Sequence, residues 1–372
     1  MMDKGNNGGT RLHSLDALRG FDMLFIMGFS ILLMKLCVAL GWGKECFLYG
    51  QMRHVEWHGL AFMDTIFPLF LFIAGVSFPF SLAKQRANGM GEKAIALRCV
   101  KRGLLLFALG MVYGNFLKLD FGHFRIWSVL GRIGLAWMAA ALIFMKTGLK
   151  VRFVLAALML AGTALFSRFV LAPDAPAGCI PFSPEGSFGG WLDRTITGGH
   201  ILGKLSDPEG FAGIVPSVAT AMFGMFAGEL LAFSGWSGNR KSVMLLAAGI
   251  ACALMTVLFA QFCPINKKLW SPSFVLACGA YSFSILSLFY WLIDVRGLRG
   301  WTYPLQVIGM NSITIYLAQR IIGFKGATEF LFGGLASKFP DVWGQVVWSA
   351  GYVLVCWTFL WFLYRKRIFL KI

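Results

Sequence analysis

Three observations predict an all-α, polytopic membrane protein with about ten transmembrane helices. Of the 372 residues, 58% are hydrophobic and only 14% are charged, whereas soluble domains carry about a quarter charged residues. Apolar runs recur along the chain at the length of about 20 residues that a bilayer-spanning helix needs. Lysine and arginine outnumber aspartate and glutamate by 34 to 17, and they collect in short loops between alternate runs.

The apolar runs divide the chain into a single transmembrane domain, residues 1–372. The spans are predicted near 16–40, 59–83, 101–118, 127–146, 152–172, 213–234, 241–262, 273–293, 304–323 and 343–364. The polar, glycine-rich segment 1–10 is predicted to be a disordered tail without a cleavable signal peptide. The segment 173–212 is predicted to be a long loop on the outer side.

The distribution of basic residues predicts that both termini are cytoplasmic. The loops assigned to the cytoplasm and the C-terminal tail contain Lys84, Arg86, Lys93, Arg98, Lys101, Arg102, Lys146, Lys150, Arg152, Arg240, Lys241, Arg296, Arg299, Arg365, Lys366 and Arg367. The loops 41–58, 119–126, 173–212, 263–272 and 324–342 then face outside. In a membrane protein the net charge of +17 indicates contact with anionic lipid, and not nucleic acid.

The segment from His54 to Asp64 is the strongest candidate for chemistry. His54, Glu56 and His58 precede the second span, and Asp64 lies inside it, where an ionisable group is costly unless it has a function or a partner. A histidine at this position could act as a general base, with its tautomer fixed by Glu56, Asp64 or a backbone carbonyl. The alternative is that these histidines and Trp57 belong to the aromatic belt at the membrane interface.

No metal site is predicted. His54 and His58 lie four residues apart but lack a third ligand at a suitable spacing, and the eight cysteines form no CxxC pair.

The first span begins with a cluster of charged residues. Ser14 or Asp16 could cap its first turn, while Arg11 and Arg19 lie at the predicted cytoplasmic surface. These arginines could hold phosphate groups, or they could simply set the orientation in the membrane.

Further polar residues interrupt the later spans. Arg132 lies inside an apolar helix and is predicted to face a polar cavity and bind an anion. Asn311 and Ser312 could bind a ligand or connect helices by hydrogen bonds.

Polar residues also stand in the predicted outer loops. Asn266 and Lys267 precede the eighth span together with Trp270, and Asn266, Lys267 or Asn311 could stabilise an oxyanion. Glu209 lies in the long loop 173–212 and is grouped with these residues as a candidate substrate contact.

Six segments, in this order, carry a resemblance to a known family. They read SLDALRGFDM, HVEWHGLAFMDTIFPLFLFIAGVS, VLGRIGLAW, DPEGFAGIVPSVATAMFGMFAGE, INKKLWSPSFVLACGAYS and GMNSITIYL. Together they resemble the heparan-α-glucosaminide N-acetyltransferase family of multi-span acyltransferases. The resemblance covers essentially the whole chain, apart from the lumenal N-terminal region of the lysosomal members.

This resemblance implies acetyl transfer from cytosolic acetyl-CoA to an amino sugar, or another sugar, across the membrane. The family's catalytic histidine corresponds to His54, acting as a base or as an acetyl relay. Ser30 stands where the lysosomal members have an asparagine. The donor's phosphates would be held by Arg132, Arg19 and Arg11, with Asn311 and Ser312. The acceptor would contact Glu56, Trp57, His58, Glu209, Asn266, Lys267 and Trp270.

The resemblance also implies a homodimer, and the chain without the lumenal region indicates a bacterial inner membrane. Two other classes of function remain open from the residues alone. One is a sugar or anion transporter that uses Asp64 and Arg132 in a central cavity, although no repeated halves are visible. The other is a structural scaffold of a surface-polymer assembly.

Overall fold

The computed structural model describes residues 12–116, 124–198 and 200–370. The predicted tail 1–10 and the candidate Arg11 lie outside the described residues. The α-helices of the described part are α1 (His13–Leu24), α2 (Ser30–Ala39), α3 (Phe47–Gln51), α4 (Phe62–Ala87), α5 (Glu92–Tyr113), α6 (Val129–Lys146), α7 (Leu149–Phe169), α8 (Phe188–Thr197), α9 (Ile214–Ala232), α10 (Gly238–Ala260), α11 (Pro272–Phe289), α12 (Tyr303–Gly309), α13 (Ser312–Ile321), α14 (Phe324–Ala336) and α15 (Asp341–Arg365). Short π-helical turns follow α1 (Phe25–Phe29) and α11 (Tyr290–Val295), and 3₁₀ turns precede α9 (Phe211–Gly213) and α12 (Gly300–Thr302).

The prediction of an all-α, polytopic membrane protein is confirmed. Within the described residues, eight helical stretches are long and apolar enough to cross a bilayer. They are His13–Ala39, Phe62–Ala87, Val129–Lys146, Leu149–Phe169, Phe211–Ala232, Gly238–Ala260, Pro272–Val295 and Asp341–Arg365. Extended structure in the described part is limited to one bridge between Leu171 and Ser187.

Two of the ten predicted spans differ in the structure. The span predicted at 101–118 belongs to α5, which begins at Glu92, because the helix continues through the basic segment before the apolar run. The span predicted at 304–323 is broken into α12 and α13, because Asn311 leaves the helical conformation with φ −126°.

Two predicted outer loops contain helices. The loop 173–212 includes α8, whose first turn is capped by the Ser187 hydroxyl at 3.0 Å from the amide of Gly190. The loop 324–342 includes α14, which packs along α15.

Helices α4 and α9 form the buried centre of the bundle and approach each other at glycines. A Cβ on Gly75 would lie 2.3 Å from the carbonyl oxygen of Ala221, and a Cβ on Gly224 would lie 2.0 Å from that of Phe72. Only glycine permits this separation, as is common between membrane helices. By contrast, α7 and α10 expose large apolar side chains such as Leu158 and Leu254, as a lipid-facing surface requires.

The first span is interrupted by the π turn before α2. Gly28 has φ +126° and packs against the ring of Tyr352, a conformation that residues with a Cβ rarely adopt. The hydroxyl of Ser30 donates to the carbonyl of Phe25 at 3.0 Å, and it thereby satisfies a group at the irregular turn. Such π turns occur often at functional sites.

The start of α1 is capped differently from the sequence prediction. Neither Ser14 nor Asp16 supplies the cap. Instead, the amides of His13 and Ser14 donate to the carboxylate of Asp294 at 3.1 and 3.2 Å. The prediction was wrong because the capping carboxylate comes from a segment about 280 residues away in the sequence.

The two ends of the bundle differ in chemistry. We call the end where α4 begins the His54 end, and the end where α4 finishes and α5 begins the basic end. The His54 end carries the loop before α4, the loop 266–271 and α8. The basic end carries Lys84, Arg98, Lys101 and Arg102, which are among the residues from which the sequence predicts a cytoplasmic location.

Candidate active site

Asp64 fixes the loop that carries His54. It stands in the first turn of α4, where a carboxylate also interacts favourably with the helix dipole. Its Oδ2 accepts hydrogen bonds from the amides of Ala61 at 3.1 Å and Val55 at 3.3 Å. The loop therefore folds back over the start of the helix and leaves the other carboxylate oxygen for a side chain.

That side chain is His54. Its Nδ1 lies 2.8 Å from Oδ1 of Asp64, and the His54 side chain is 58% exposed whereas that of Asp64 is 1% exposed. A lone pair on Nδ1 would repel the carboxylate at this distance, so Nδ1 carries the hydrogen and donates it. The unprotonated Nε2 is then the nitrogen available for chemistry.

Lys267 approaches both members of this pair. Its Nζ lies 3.2 Å from Oδ1 of Asp64 and 3.1 Å from Nδ1 of His54. Because Nδ1 already carries a hydrogen, the ammonium donates to Asp64, and its positive charge stands beside the imidazole. The site thus contains a carboxylate shared between one imidazole and one ammonium.

The turn 266–271 holds Lys267 in place. The side-chain oxygen of Asn266 accepts from the amide of Leu269 at 2.9 Å, and its backbone amide donates to Ser271 at 3.0 Å. Trp270 adopts a left-handed conformation with φ +50° and is fully buried. Its indole donates to the hydroxyl of Thr220 at 3.3 Å, so Trp270 anchors the turn to α9.

His58, the second histidine of the loop, accepts a hydrogen bond at Nδ1, whereas His54 donates one from Nδ1. The amide nitrogen of Asn266 lies 3.3 Å from Nδ1 of His58 and donates to it, because the amide oxygen is occupied by Leu269. Partial burial lowers the pKa of His58. His58 is therefore neutral over a wider pH range and serves as a hydrogen-bond acceptor.

The neighbouring residues of the loop lie outside this network. The indole of Trp57 donates to the carbonyl of Phe182 at 2.7 Å, and the ammonium of Lys268 lies 5.6 Å from its ring. Glu56 is exposed. The structure therefore pairs His54 with Asp64 rather than with Glu56, two of the arrangements that the sequence left open.

A cavity of about 280 Å³ lies beside His54 and extends into the bundle. The polar residues that line it are Ser30, His54, Glu209, Lys267, Ser312 and Tyr316. Its apolar wall comes from α1, the π turn, α4, α6 and α13, and it reaches Phe70, two turns along α4. Five of the predicted site residues thus share one cavity.

The other predicted residues lie elsewhere. Asp64 stands behind His54, and Asn311 is buried next to the lining residue Ser312. Within the described part of the chain, the amide nitrogen of Asn311 has no hydrogen-bond partner. Asn266 and Trp270 are buried and support the turn, and neither lines the cavity beside His54. Arg19 lies toward the basic end, 3.6 Å from Asp16.

The loop 173–212 contributes Glu209 through a buried ion cluster. Arg125 forms ion pairs with Asp207 and with Glu209, and Asp207 has no exposed side-chain surface. These carboxylates raise the pKa of Arg125, since they stabilise its charged form. Arg125 thereby fixes the segment that places Glu209 in the cavity wall.

Arg132, which the sequence predicts to face a polar cavity and bind an anion, is surrounded by groups of the protein. It is 1% exposed, its Nη2 donates to the carbonyl of Gly210 at 2.6 Å, and its guanidinium lies 4.9 Å from the ring centre of Trp270. It does not line the cavity beside His54. The sequence correctly indicates a buried cation. The carboxylates near Arg132 and the ring of Trp270 come from segments that are remote in the sequence.

Asp193 of α8 completes the charged region of the loop 173–212. It is 3% exposed and accepts from the amide of Ala212 at 3.2 Å. Burial raises the pKa of Asp193 to about 6.

Sequence reasoning missed two residues near the cavity, Arg125 and Tyr316. Both stand in segments that were singled out, but neither was assigned a role. Arg125 immediately precedes the span containing Arg132, and an arginine facing a long acidic loop could have indicated the ion cluster. Tyr316 lines the cavity and stacks on Tyr113 with ring centres 4.6 Å apart.

No protein-family model matches the chain. Human heparan-alpha-glucosaminide N-acetyltransferase is 28% identical over 418 residues, an alignment that covers 97% of this chain and 60% of the human protein. The chain is a relative of heparan-alpha-glucosaminide N-acetyltransferase. The mouse heparan-alpha-glucosaminide N-acetyltransferase is also 28% identical, with 98% of this chain and 62% of the mouse protein covered.

The resemblance drawn from the six sequence motifs is thus confirmed. Similarity to the heparan-alpha-glucosaminide N-acetyltransferases extends over nearly the whole chain and is not confined to the His54 motif. The chain spans about 60% of the length of these curated relatives.

Proposed function

We propose that this integral membrane protein is an acyltransferase that moves an acetyl group from acetyl-CoA to an amino sugar or other sugar. The observation that carries the proposal is the 2.8 Å bond between His54 and Asp64 beside a cavity. The names of the relatives support N-acetyl transfer as the type of reaction.

The proposed chemistry depends on Nε2 of His54. In direct transfer, Nε2 takes a proton from the acceptor amine or hydroxyl while that group attacks the thioester carbon, and the carbon–sulfur bond then breaks. In an acetyl relay, Nε2 attacks the carbonyl carbon first, the carbon–sulfur bond breaks and CoA leaves as the thiolate. The acceptor then gives up its proton and attacks the acetyl carbon, and the bond to Nε2 breaks. Both routes require an unprotonated Nε2, which the Nδ1–H donation to Asp64 favours.

The oxyanion formed during attack needs hydrogen-bond donors. Ser30 donates its hydroxyl hydrogen to the carbonyl of Phe25, so it is poorly suited to this task. Lys267 and Ser312 line the same cavity, and Ser312 is the first residue of α13, where backbone amides lack helical partners. We assign oxyanion stabilisation to these two residues.

The two ends of the bundle fit two substrates. The basic end is assigned to the cytoplasm, so acetyl-CoA enters from there, and the acceptor reaches His54 from the opposite side of the membrane. Glu209 in the cavity wall carries a charge suited to an ammonium or hydroxyl group of the acceptor. A homodimer in a bacterial inner membrane remains part of the proposal.

Purified protein with radiolabelled acetyl-CoA and glucosamine tests this function. We expect acetyl transfer by the wild type and by the control H13Q, which alters a histidine at the basic end, but none by H54A. Melting temperature and elution volume of H54A should match the wild type. Undiminished transfer by H54A would remove His54 from the mechanism, and acetyl-CoA-independent counterflow of a labelled sugar would support a transporter instead. No signal in either assay would support the structural scaffold.

A further inference from the structure

A second cavity, of about 610 Å³, opens at the basic end between α4, α5 and α6. Every charged side chain in its wall is positive: Arg98, Lys101 and Arg102 of α5. Ser81 and Gln85 of α4 add polar groups, and Trp137 of α6 forms one side. This basic cavity is separate from the cavity beside His54.

Arg102 is the most constrained of these cations. Its guanidinium lies 4.5 Å from the ring centre of Trp137, and that ring is fixed because its nitrogen donates to the carbonyl of Ala74 at 3.2 Å. Nε of Arg102 is buried and has no hydrogen-bond partner among the residues that the structure describes. A buried donor without an acceptor costs free energy, so an acceptor inside the cavity would stabilise this arrangement.

The positive charges near Arg102 also favour an anion in the basic cavity. Arg98 and Arg102 are four residues apart on one face of α5, where like charges repel each other. Arg19 of α1 is close enough to Arg102 to add to this repulsion. An anion in the basic cavity would relieve the repulsion and satisfy the unpaired guanidinium hydrogen.

We propose that the basic cavity binds a phosphate group. Phosphate offers several acceptor oxygens to arginine and lysine together, and guanidinium groups hold it with defined geometry. Two sources share this chemistry: the nucleotide phosphates of the acyl donor, and the headgroup of an anionic lipid at the same membrane face.

The donor source rests on the proposed function, and the positions of the two cavities agree with it. Phe70 lines the cavity beside His54 and Phe78 lines the basic cavity, both on α4. Eight helical residues correspond to roughly 12 Å along the axis. The long, flexible arm between the phosphates and the thioester of CoA suits a separation of this kind.

Equilibrium binding tests the site without measuring acyl transfer. Adenosine 3′,5′-bisphosphate serves as the nucleotide probe, inorganic phosphate as the free-anion probe, and nanodiscs of phosphatidylglycerol against phosphatidylcholine as the lipid probe. R102Q removes the buried guanidinium, and R98Q/K101Q removes two exposed charges with less risk to folding. R240Q is the matched control, because Arg240 also stacks on a tryptophan, Trp236, but lies outside the basic cavity.

We expect R102Q and R98Q/K101Q each to weaken binding of the bisphosphate or of phosphatidylglycerol at least about tenfold, and R240Q to change neither. Loss confined to the bisphosphate identifies the donor, and loss confined to the lipid identifies a headgroup. Binding of all probes unchanged in R98Q/K101Q and in folded R102Q would overturn the site. Bisphosphate binding lost in R102Q but kept in an H54A protein without transfer activity supports the site even if the proposed function fails.

Discussion

The hydrogen bond between Nδ1 of His54 and Oδ1 of Asp64, 2.8 Å long, joins an exposed side chain to a buried one. The carboxylate is held by two backbone amides and an ammonium, so its position does not depend on the histidine. The imidazole is consequently oriented from behind while its other nitrogen remains accessible. This relationship has direct consequences for variants of the site.

Replacing Asp64 with asparagine should disable catalysis without unfolding the protein. The amide oxygen can still accept from Val55 and Ala61, but the amide nitrogen would face Nδ1 of His54 and favour the wrong tautomer. We expect the rate of acetyl transfer in D64N to fall by about 10²- to 10⁴-fold. Steady-state kinetics with acetyl-CoA measure this, and a rate within twofold of the wild type would contradict the assigned role of Asp64.

Replacing Lys267 with glutamine should lower the rate of acetyl transfer. The ammonium lies in the cavity wall, 3.2 Å from Oδ1 of Asp64, and its loss removes a charged hydrogen-bond donor that is assigned to the oxyanion. We expect kcat of K267Q to fall by about 10²- to 10³-fold. K268Q, in which the adjacent lysine facing Trp57 is lost, is the control and should keep the wild-type rate. Equal rates for the two variants would exclude this role.

Arg125 should matter for stability more than an exposed arginine. R125Q leaves the carboxylate of Asp207 buried without its partner, and breaking a buried pair costs roughly 3–5 kcal/mol. Arg86 forms an exposed pair with Glu92, so R86Q is a matched control with a small expected effect. Thermal unfolding in detergent should show a clear decrease only for R125Q. Equal melting temperatures for the two variants would contradict the structural role of the cluster.

Asp193 should make stability depend on pH. Its pKa is raised by burial from an ordinary 3.8 to about 6, so the folded state binds this proton more tightly than the unfolded chain does. The resulting stabilisation is fully present below about pH 4 and is lost as pH rises through about 6, a change on the order of 3 kcal/mol. D193N keeps an acceptor for the amide of Ala212 but cannot titrate. The difference in unfolding free energy between wild type and D193N should therefore vary between pH 4 and 7, and a constant difference would contradict the raised pKa.

Sequence reasoning reached the features that depend on local pattern. Hydropathy located the long membrane-spanning helices because each one is a continuous apolar run. His54 and Asp64 are ten residues apart in one motif, so their pairing was among the arrangements that the sequence left open. The break at Asn311 was missed because hydropathy continues across it, although its backbone does not.

Contacts between residues far apart in the sequence could not be predicted from local pattern. Arg125 and Glu209 are 84 residues apart, and Lys267 meets His54 across 213 residues. The sequence could not show that Arg132 contacts the carbonyl of Gly210 and the ring of Trp270, because both belong to other segments. An arginine in an apolar span was therefore interpreted as facing a ligand. A single sequence has no local signal for such pairs.

The wall around His54 is assembled from segments distributed over most of the chain, from Met23 to Tyr316. If the chain were cut in the turn between α9 and α10, His54 and Glu209 would remain on one fragment, while Lys267 and Ser312 would go to the other. Neither fragment alone would contain all the residues that line the cavity beside His54. Co-expression of the two halves could restore turnover only through their reassembly in the bilayer, which makes complementation a direct readout of correct helix assembly.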